Sequence, residues 1–396
     1  MSKLEKSLVL LLIIPLIYTI YKSEIYNNGL LRSYYLKFYI ILISSILFIT
    51  LISFFKKSFK IYTYITLFSI VASLYICEAY LILIRGENNI LIKQKKYEKN
   101  YVKFDKRTRY EVFLEKNKIS KKYTVNFHPS YYLNKKKSLL PLSGISNMQT
   151  INCNENGYYA EYMSDRYGFN NPDTEWNSKS ISYLLIGDSF VHGSCVNRPH
   201  DLGSILRSLS KKKVINLGQR GNGPLMNYAT LKEYYPKGTK NVIWFYFIGN
   251  DPIELKDEIN DNLLIKYLKN KNFSQNLKNK QYQIDKNLNK TIELEIMKEH
   301  KFLSYLDSSK TKIFSFVKLY NLRKILQQSY LFYDSILPQD ELKKILKMAT
   351  DLSSKNDSKF YVVILPSYFK NNLSKHQTIE YELILKILNE LQINYI

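Results

Sequence analysis

The stretch Ile181–Gly193 (ISYLLIGDSFVHG) determines how the rest of the chain is arranged. Its first six residues are apolar and β-favouring and stop at Gly187-Asp188-Ser189, so a strand delivers a serine to a sharp turn. At the carboxyl end of a strand in a parallel sheet, this hydroxyl would be exposed in the crevice where open α/β sheets bind ligands. Ser189 is therefore a candidate nucleophile, although GDS alone also occurs in ordinary β-turns.

Two later strands also end in turns suited to ligand binding. Val214–Gly218 runs into the glycine-rich turn Gln219–Pro224, whose backbone N–H groups can approach a ligand closely. Asn241–Ile248 is almost wholly apolar, as expected for a central parallel strand, and is followed by Asn250 and Asp251. The glycine-rich turn and the asparagine amide are both expected at the edge of the sheet that carries the serine.

Three successive strands that end in GDS, NxGxxG and GND resemble blocks I, II and III of the SGNH (GDSL-type) hydrolase family in order and approximate spacing. The resemblance implies that Ser189 is the nucleophile. It also implies that the N–H groups of Ser189 and Gly221, with the Asn250 amide, bind the oxyanion of a tetrahedral intermediate.

The third block departs from the family pattern in one place. The family reads GxND, and here Ile248 stands where its glycine is expected. Asn250 and Asp251 still align, and the resemblance implies that Asp188 and Asp251 support the site.

The general base of the family is a histidine in a D-x-x-H block after the fifth strand, and the sequence ends at Ile396 before such a block. The histidines of the chain are His128, His192, His200, His300 and His376. A surface role is the simplest expectation for all five. His376 follows the fourth strand and is the candidate substitute base, whereas His192 should point away from the serine. Two interpretations stay open: an incomplete copy of a longer hydrolase, or a site that binds without turnover.

Composition argues against a nucleic-acid protein. The formal net charge is +24, but the excess is almost entirely lysine, dispersed among Asn, Ile and Tyr, with only nine arginines. No aromatic-basic platform accompanies the charge, so no nucleic-acid partner is expected.

The N-terminal third contains three apolar runs, Ser7–Tyr21, Phe38–Phe55 and Ile61–Ile84. The latter two are long enough to cross about 30 Å of hydrocarbon, and we interpret all three as transmembrane helices. Lysines before the first run and in the loop Lys56–Lys60 place both segments in the cytoplasm by the positive-inside rule. The sequence thus predicts a multi-pass anchor, residues 1–85, in a bacterial inner membrane, with the rest of the chain outside.

Glu78 lies within the third run, where an ionisable group is a candidate functional residue. It is under two turns from Arg85, so we expect it to snorkel toward the outer interface without a further role.

Residues 86–175 are predicted to form an extracytoplasmic connector and a lead-in segment. The lead-in stretch Asp165–Asn171 reads D-x-x-G-F-x-N. It resembles the segment that precedes the GDS strand in membrane-attached bacterial SGNH proteins found with surface-polysaccharide systems.

Cys153 and Cys195 are the two cysteines outside the predicted anchor. An exported domain is oxidised, and we predict a disulfide that contributes roughly 4 kcal/mol, with two free thiols as the alternative. No Cys/His cluster has zinc spacing, so neither a metal nor a cofactor is predicted.

Residues 176–396 are predicted to form the SGNH hydrolase-like domain. Its fourth strand is Phe360–Leu365, and a fifth begins near residue 392. Residues 253–330 interrupt it as a helical insertion in which apolar residues recur at helical spacing, for example Ile313, Phe316, Val317, Tyr320 and Leu322. The β-α alternation predicts an α/β, flavodoxin-like doubly wound parallel sheet, the fold that SGNH hydrolases share, preceded by an all-α anchor.

The resulting hypothesis is a membrane-anchored SGNH-like serine esterase or acyltransferase, acting on acyl esters, acetyl in the first place, of cell-surface polysaccharide. Its partners would be an acylated carbohydrate or other ester and, through the anchor, membrane lipid. The substrate rests on analogy alone. The alternatives are a catalytically incomplete binding or assembly subunit of an envelope polysaccharide system, and a lipid-active esterase.

Overall fold

The computed structural model describes residues 2–26, 32–85, 104–120, 122–135, 137–306, 309–328, 338–366 and 375–396. The described helices are α1 (Lys3–Ile20), α2 (Arg32–Ile52), α3 (Lys57–Arg85), α4 (Arg109–Ile119), α5 (Ser189–His192), α6 (Leu202–Ser210), α7 (Pro224–Tyr234), α8 (Asp251–Glu258), α9 (Ile265–Lys269), α10 (Gln281–Leu306), α11 (Ser309–Val317), α12 (Tyr320–Gln328), α13 (Gln339–Lys355) and α14 (Lys375–Glu390). The described strands are β1 (Tyr123–Val125), β2 (Gln149–Ile151), β3 (Glu161–Met163), β4 (Ile181–Ile186), β5 (Val214–Asn216), β6 (Thr239–Phe247), β7 (Lys359–Leu365) and β8 (Asn394–Tyr395). Short 3-10 turns and one π-helical turn, Tyr21–Tyr26, complete the assignment.

The chain divides into two compact units. One comprises Met1–Gly86 and Ile313–Gln328, and the other comprises Glu87–Lys312 and Ser329–Ile396. Residues of the predicted insertion 253–330 occur in both units.

The main sheet has five strands in the order β5-β4-β6-β7-β8. All pairs are parallel; Leu184 of β4 lies opposite Ile215 on one side and Val242 on the other, and Val242 lies opposite Phe360 of β7. This is the 2-1-3-4-5 order of flavodoxin-like doubly wound sheets. The prediction of an α/β chain with a parallel sheet is confirmed.

Apolar side chains cover both faces of this sheet. Trp244 and Tyr246 of β6 are fully buried in the larger core, together with residues of α7 and α13. Leu185 and Val214 form a smaller cluster on the other face, against Leu202 of α6. Burying each side chain of this size stabilises the fold by about 1.5–3 kcal/mol. A sheet with apolar side chains on both faces is therefore most stable when both faces are covered.

A second, three-stranded sheet comes from the segment predicted to be a connector. β2 pairs with β1 in parallel and with β3 in antiparallel fashion. Val125, Phe127 and Ile151 are buried in the larger core. Strands of three residues are too short to show a period of two, which explains why the sequence did not reveal them.

Among its described residues, the unit that contains the N-terminus has three helices long and apolar enough to cross a membrane. The qualifying stretches are Glu5–Ile25, Tyr35–Ile52 and Lys57–Leu83. Ser2 caps α1 in a capping box with Glu5. These helices agree with the three predicted apolar runs and are compatible with a membrane anchor.

Candidate active site

Ser189 stands where β4, an interior strand of the main sheet, turns into α5. Asp188 caps α5, because its Oδ1 accepts a hydrogen bond from the Phe190 N–H at 2.9 Å, and Ser189 Oγ lies 3.4 Å from Asp188 Oδ2. A Cβ at Gly187 would come within 2.5 Å of Val191 Cγ2, so the tight turn requires glycine. The half-buried serine is thereby presented at the carboxyl edge of the sheet.

The glycine-rich turn lies directly against the serine turn. The Gln219 N–H donates to the Gly187 carbonyl at 3.2 Å. A Cβ at Gly218 would lie 2.6 Å from the backbone nitrogen of His192, and Gly221 has φ +74°, a left-handed conformation that favours glycine. The structure thus brings the first two sequence blocks together.

Asn250 meets the same turn, but its amide faces carboxylates. Its Nδ2 donates to Glu254 Oε1 at 3.1 Å, and it is near enough to Asp188 to oppose the rise in the pKa of that carboxyl. Asp251 is fully buried, and its Oδ2 accepts a hydrogen bond from the Phe247 N–H at 3.0 Å. The third block therefore reaches the residue that precedes Ser189, with the amide already engaged.

Four neighbouring carboxyl groups surround this junction: Asp188, Asp251, Glu254 and Glu258. Burial is the largest cause that raises the pKa of each. For Glu254 burial and the Asp188 charge raise the pKa to about 7, and for Asp251 burial and the same charge raise it well above its usual range. Carboxyls that raise one another's pKa share protons, so the cluster can take up and release a proton near neutral pH.

Glu254 and Glu258 connect this cluster to the glycine-rich turn. Glu258 Oε1 accepts a hydrogen bond from the Gly223 N–H, and Oε2 accepts from Leu225 and Met226 at the start of α7. A carboxylate at a helix N-terminus satisfies backbone donors that lack an intrahelical partner. No group of three His, Cys, Asp or Glu side chains among the described residues is arranged to hold a metal ion.

The lead-in segment supports the site from behind. Asp165 Oδ1 accepts the N–H groups of Tyr167 and Phe169, and Oδ2 accepts Trp176 Nε1 at 2.7 Å and Asn171 Nδ2 at 2.9 Å. Burial raises the pKa of Asp165 to about 6, and these four hydrogen bonds oppose the rise. The D-x-x-G-F-x-N pattern thus encodes a self-satisfied buried turn.

Two asparagines connect the lead-in turn to the edge of the sheet that carries Ser189. Asn170 Nδ2 donates to the His192 carbonyl at 3.0 Å, at the end of α5. Asn171 exchanges two hydrogen bonds with the backbone of Asn216, each 2.9 Å, and the Asn216 amide donates in turn to Val191. The lead-in segment therefore fixes both the helix that follows Ser189 and the strand that precedes the glycine-rich turn.

Of the two histidines discussed as possible bases, only His192 has a clear outcome, and the surface role expected for it is wrong. His192 is fully buried, with Nε2 3.2 Å from Tyr162 Oη and Nδ1 3.3 Å from Ser194 Oγ. Burial lowers its pKa to about 3, so it is a neutral packing residue. His376 lies in the first turn of α14, and its side chain is outside the described part of the chain.

His128 lies beside the glycine-rich turn, a position that was not predicted. A Cβ at Gly221 would be 3.5 Å from His128 Nδ1 and 2.8 Å from Ser130 Oγ. The His128 Nε2 is buried and has no hydrogen-bond partner among the described residues. Burial, and then the charges of Arg220 and Arg109, lower the pKa of His128 to about 2, which keeps the imidazole neutral and able to accept a hydrogen bond.

The missed residues differ in how visible they were. Glu254 and Glu258 are four residues apart on the helix that starts after Asn250, a spacing that places both on one face. That signal was available in the sequence. His128 is distant in sequence from all three blocks, and only the fold brings it to Gly221.

Cys153 and Cys195 are bonded to each other, with their Cα atoms 4.8 Å apart. The bond joins the chain after β2 to the loop that follows α5, and the Asn156 amide donates to the Cys195 carbonyl at 3.1 Å. The disulfide is therefore a second connection between the lead-in region and the serine turn.

The chain matches no protein-family model and no curated protein. Among solved structures, it is similar to the SGNH-hydrolase family esterase AlinE4, at 10% identity and TM-score 0.28. It is also similar to a putative lipolytic protein of the G-D-S-L family from Desulfitobacterium hafniense DCB-2, at 14% identity and TM-score 0.27. Each match covers 55% of this chain and 76% of the other. Likenesses at this level do not establish the family.

Proposed function

We propose that the protein is a membrane-anchored, SGNH-like serine esterase or acyltransferase that acts on acyl esters, acetyl in the first place, of cell-surface polysaccharide. The observation that carries the proposal is the hydrogen bond from the Gln219 N–H to the Gly187 carbonyl. It sets the glycine-rich turn beside the serine turn. Ser189 and the Gly221 N–H are then positioned at one edge of a parallel sheet, where such folds bind ligands.

The reaction would begin with attack of Ser189 Oγ on the ester carbonyl carbon. The negative charge that develops on the carbonyl oxygen would be stabilised by the N–H groups of Ser189 and Gly221 and by the Asn250 amide, once the amide turns from its carboxylate partner. Collapse would release the sugar hydroxyl and leave an acyl-serine. Water would then complete hydrolysis, or a second sugar hydroxyl would complete transfer.

A base must take the serine proton, and two histidines are candidates. His128 lies beside Gly221, with its Nε2 lacking a protein partner within the described ranges, but its pKa of about 2 makes it a much weaker base than an ordinary histidine. His376 follows the strand β7, as the sequence suggested. The variants His128→Ala and His376→Ala distinguish the two candidates. The base is the histidine whose replacement abolishes ester hydrolysis under otherwise identical assay conditions.

The membrane part of the proposal places the three apolar helices across the inner membrane and the second unit outside. The lysine-rich loop between α2 and α3 supports this orientation. The bonded pair Cys153 and Cys195 supports an oxidising compartment. A reporter fused after Asn100 should be active only if exported; a reporter active in the cytoplasm at this position would contradict the topology.

A second candidate is a subunit that binds acylated carbohydrate without cleaving it. The engaged state of Asn250 favours it, since an amide that donates to Glu254 is not free to bind an oxyanion. The two candidates differ in whether Ser189 reacts.

The experiment is labelling of the full chain with a serine-directed fluorophosphonate, together with hydrolysis of p-nitrophenyl acetate. The esterase predicts a label on Ser189 and loss of both signals in Ser189→Ala, with both retained in the neighbouring control Ser194→Ala. Absence of label, together with equal hydrolysis by the parent, Ser189→Ala and Ser194→Ala, would contradict the proposed esterase activity. Saturable binding of an acetylated oligosaccharide without label would favour the second candidate.

A further inference from the structure

Residues of the predicted insertion lie with the apolar N-terminal helices, in the same compact unit. Tyr75 of α3 donates a hydrogen bond from Oη to the Val317 carbonyl at 3.0 Å, and its ring lies 5.3 Å from that of Phe316. Within the segment α11–α12, residues 309–328, the part from Ile313 onward is therefore held on a helix long and apolar enough to cross a membrane.

Glu78 makes the strongest of these contacts. Its Oε1 accepts from the backbone N–H of Asn321 at 2.9 Å and from that residue's amide at 3.0 Å, and its Oε2 accepts from the Leu322 N–H at 2.8 Å. Glu78 is fully buried. The carboxylate satisfies the first N–H groups of α12 and lies against the positive end of that helix. The expectation was that Glu78 snorkels toward the interface without a further role; here its carboxylate accepts three hydrogen bonds from the start of α12.

The position of Glu78 sets a depth for α12. It is five residues before Leu83, the end of the apolar stretch, which corresponds to about 7–8 Å along a helix. Interfacial amphipathic helices lie with their apolar face about 5–10 Å into the boundary between headgroups and acyl chains. A helix that starts beside Glu78 therefore lies at interfacial depth.

The composition of the segment fits the same place. Its sequence, SKTKIFSFVKLYNLRKILQQ, contains five Lys or Arg and no Asp or Glu. The side chains of Ile313, Phe314, Val317 and Tyr320 are more than half exposed in the structure. Apolar side chains of α3, for example Phe68 and Leu83, are exposed as well, and hydrocarbon would cover them in a membrane.

We propose that α11–α12 is a membrane-interface element whose apolar side chains enter the bilayer, whose cations contact anionic lipid headgroups, and whose position is fixed by Glu78 of α3. This inference rests on the anchoring part of the proposed function and is independent of the esterase part. It assigns Glu78 a positioning role, since an ionised carboxylate within a membrane span is stable only when paired.

The experiment uses the full chain in phosphatidylcholine vesicles, with and without phosphatidylglycerol, in a Cys77→Ser background. Single cysteines at Phe68, Phe314 and Lys298 carry an environment-sensitive fluorophore. We expect doxyl-lipid to quench the labels at 68 and 314, iodide to quench the label at 298, and phosphatidylglycerol to strengthen lipid quenching at 314.

Quenching of the label at 314 by iodide, as strong as that at 298, would overturn the proposal. Protection of that label from both quenchers would also overturn it, because a protein surface would then cover the segment. If doxyl-lipid does not quench the label at 68, the membrane anchor itself is contradicted. This label therefore distinguishes failure of the anchor from failure of the interface proposal.

Glu78 variants test the positioning role. Glu78→Ala should reduce lipid quenching at 314 severalfold while the label at 68 is unaffected. Glu78→Gln, which keeps acceptor oxygen but loses the charge, should fall between Glu78→Ala and the parent. Equal quenching at 314 in all three proteins would show that Glu78 does not hold the segment.

Discussion

Asp165 and Asp251 are both fully buried acids near the carboxyl edge of the sheet, yet their surroundings differ. Asp165 accepts four hydrogen bonds, and its pKa rises only to about 6. Asp251 accepts one, from Phe247, while its Oδ1 has no partner among the described residues and its pKa rises well above its usual range. Equal burial thus has unequal consequences, because four donors oppose the rise at Asp165, whereas at Asp251 the charges of Asp188 and Glu254 add to burial and one donor opposes it.

The comparison separates scaffold from site. The lead-in turn satisfies its own polar groups, so replacing any of them should reduce stability. The junction of Asp188, Asp251 and Glu254 retains repulsion between like groups and unsatisfied acceptors. Natural proteins keep such arrangements chiefly at functional sites.

The largest effect on stability is expected from replacing Asp165, whose carboxylate accepts four hydrogen bonds. Asp165→Ala leaves four donors without their acceptor, among them Trp176 Nε1, and should reduce the free energy of unfolding by roughly 4–5 kcal/mol. The loss is read from the thermal or denaturant midpoint of the detergent-solubilised chain. Asp173→Ala is the matched control; Asp173 is partly exposed and pairs with Arg166, so it should cost about 1 kcal/mol. Equal losses of stability in the two variants would show that Asp165 stabilises the fold no more than a partly exposed ion pair does.

The disulfide between the two regions should come next. Thiol counting on denatured, unreduced protein should find only Cys77 free, and Cys195→Ser should reduce stability by about 4 kcal/mol for a closed loop of this length. Cys77→Ser should leave stability nearly unchanged. Three free thiols in the parent would show that Cys153 and Cys195 are not linked.

At the junction of Asp188, Asp251 and Glu254, a substitution is expected to change the rate of ester cleavage. Asn250→Ala should lower ester cleavage by about 10²–10³-fold, the usual consequence of losing one oxyanion donor, with little change in the unfolding midpoint. Asn260→Ala removes an exposed amide at the end of α8 that bonds only the Lys256 carbonyl and serves as the control. An Asn250→Ala protein as active as this control would remove Asn250 from the oxyanion site.

The smallest effect concerns the proton of Glu254. Its pKa rises from 4.5 to about 7, so the unfolded chain loses this proton first, and stability should fall as pH rises from about 4.5 to about 7, with no further change above. Glu254→Gln should remove a fall of about 3 kcal/mol, measured as unfolding midpoints across this range. Glu293→Gln, on α10, is the control. Parallel pH profiles for parent and Glu254→Gln would refute the raised pKa.

The sequence predicted those parts of the molecule that have a strong local signal. Continuous apolar runs bounded by turns revealed the positions of β4 and β7, and length with apolarity revealed the three N-terminal helices. The blocks around Ser189, Gly221 and Asn250 were located because each follows a buried strand, and the structure sets their backbone turns side by side.

Other features depend on contacts between distant residues. The small sheet has no local period, His128 reaches Gly221 only through the fold, and nothing near Glu78 in sequence names Asn321 as its partner. The engaged amide of Asn250 was equally invisible, since the family pattern specifies the residue and not the neighbours that hold it.

The pairing of β6 with β7 has a consequence for how the chain folds. Asn241 lies opposite Lys359, so the strands must meet across a long intervening segment that includes residues 313–328 of the other unit. During synthesis β4, β5 and β6 can associate well before β7 has been made, which leaves one side of β6 without backbone partners in the meantime. Closing so long a loop slows the last pairing more than it weakens the final sheet. Nascent chains halted between β6 and β7 should therefore be the form most prone to aggregate or to recruit a chaperone.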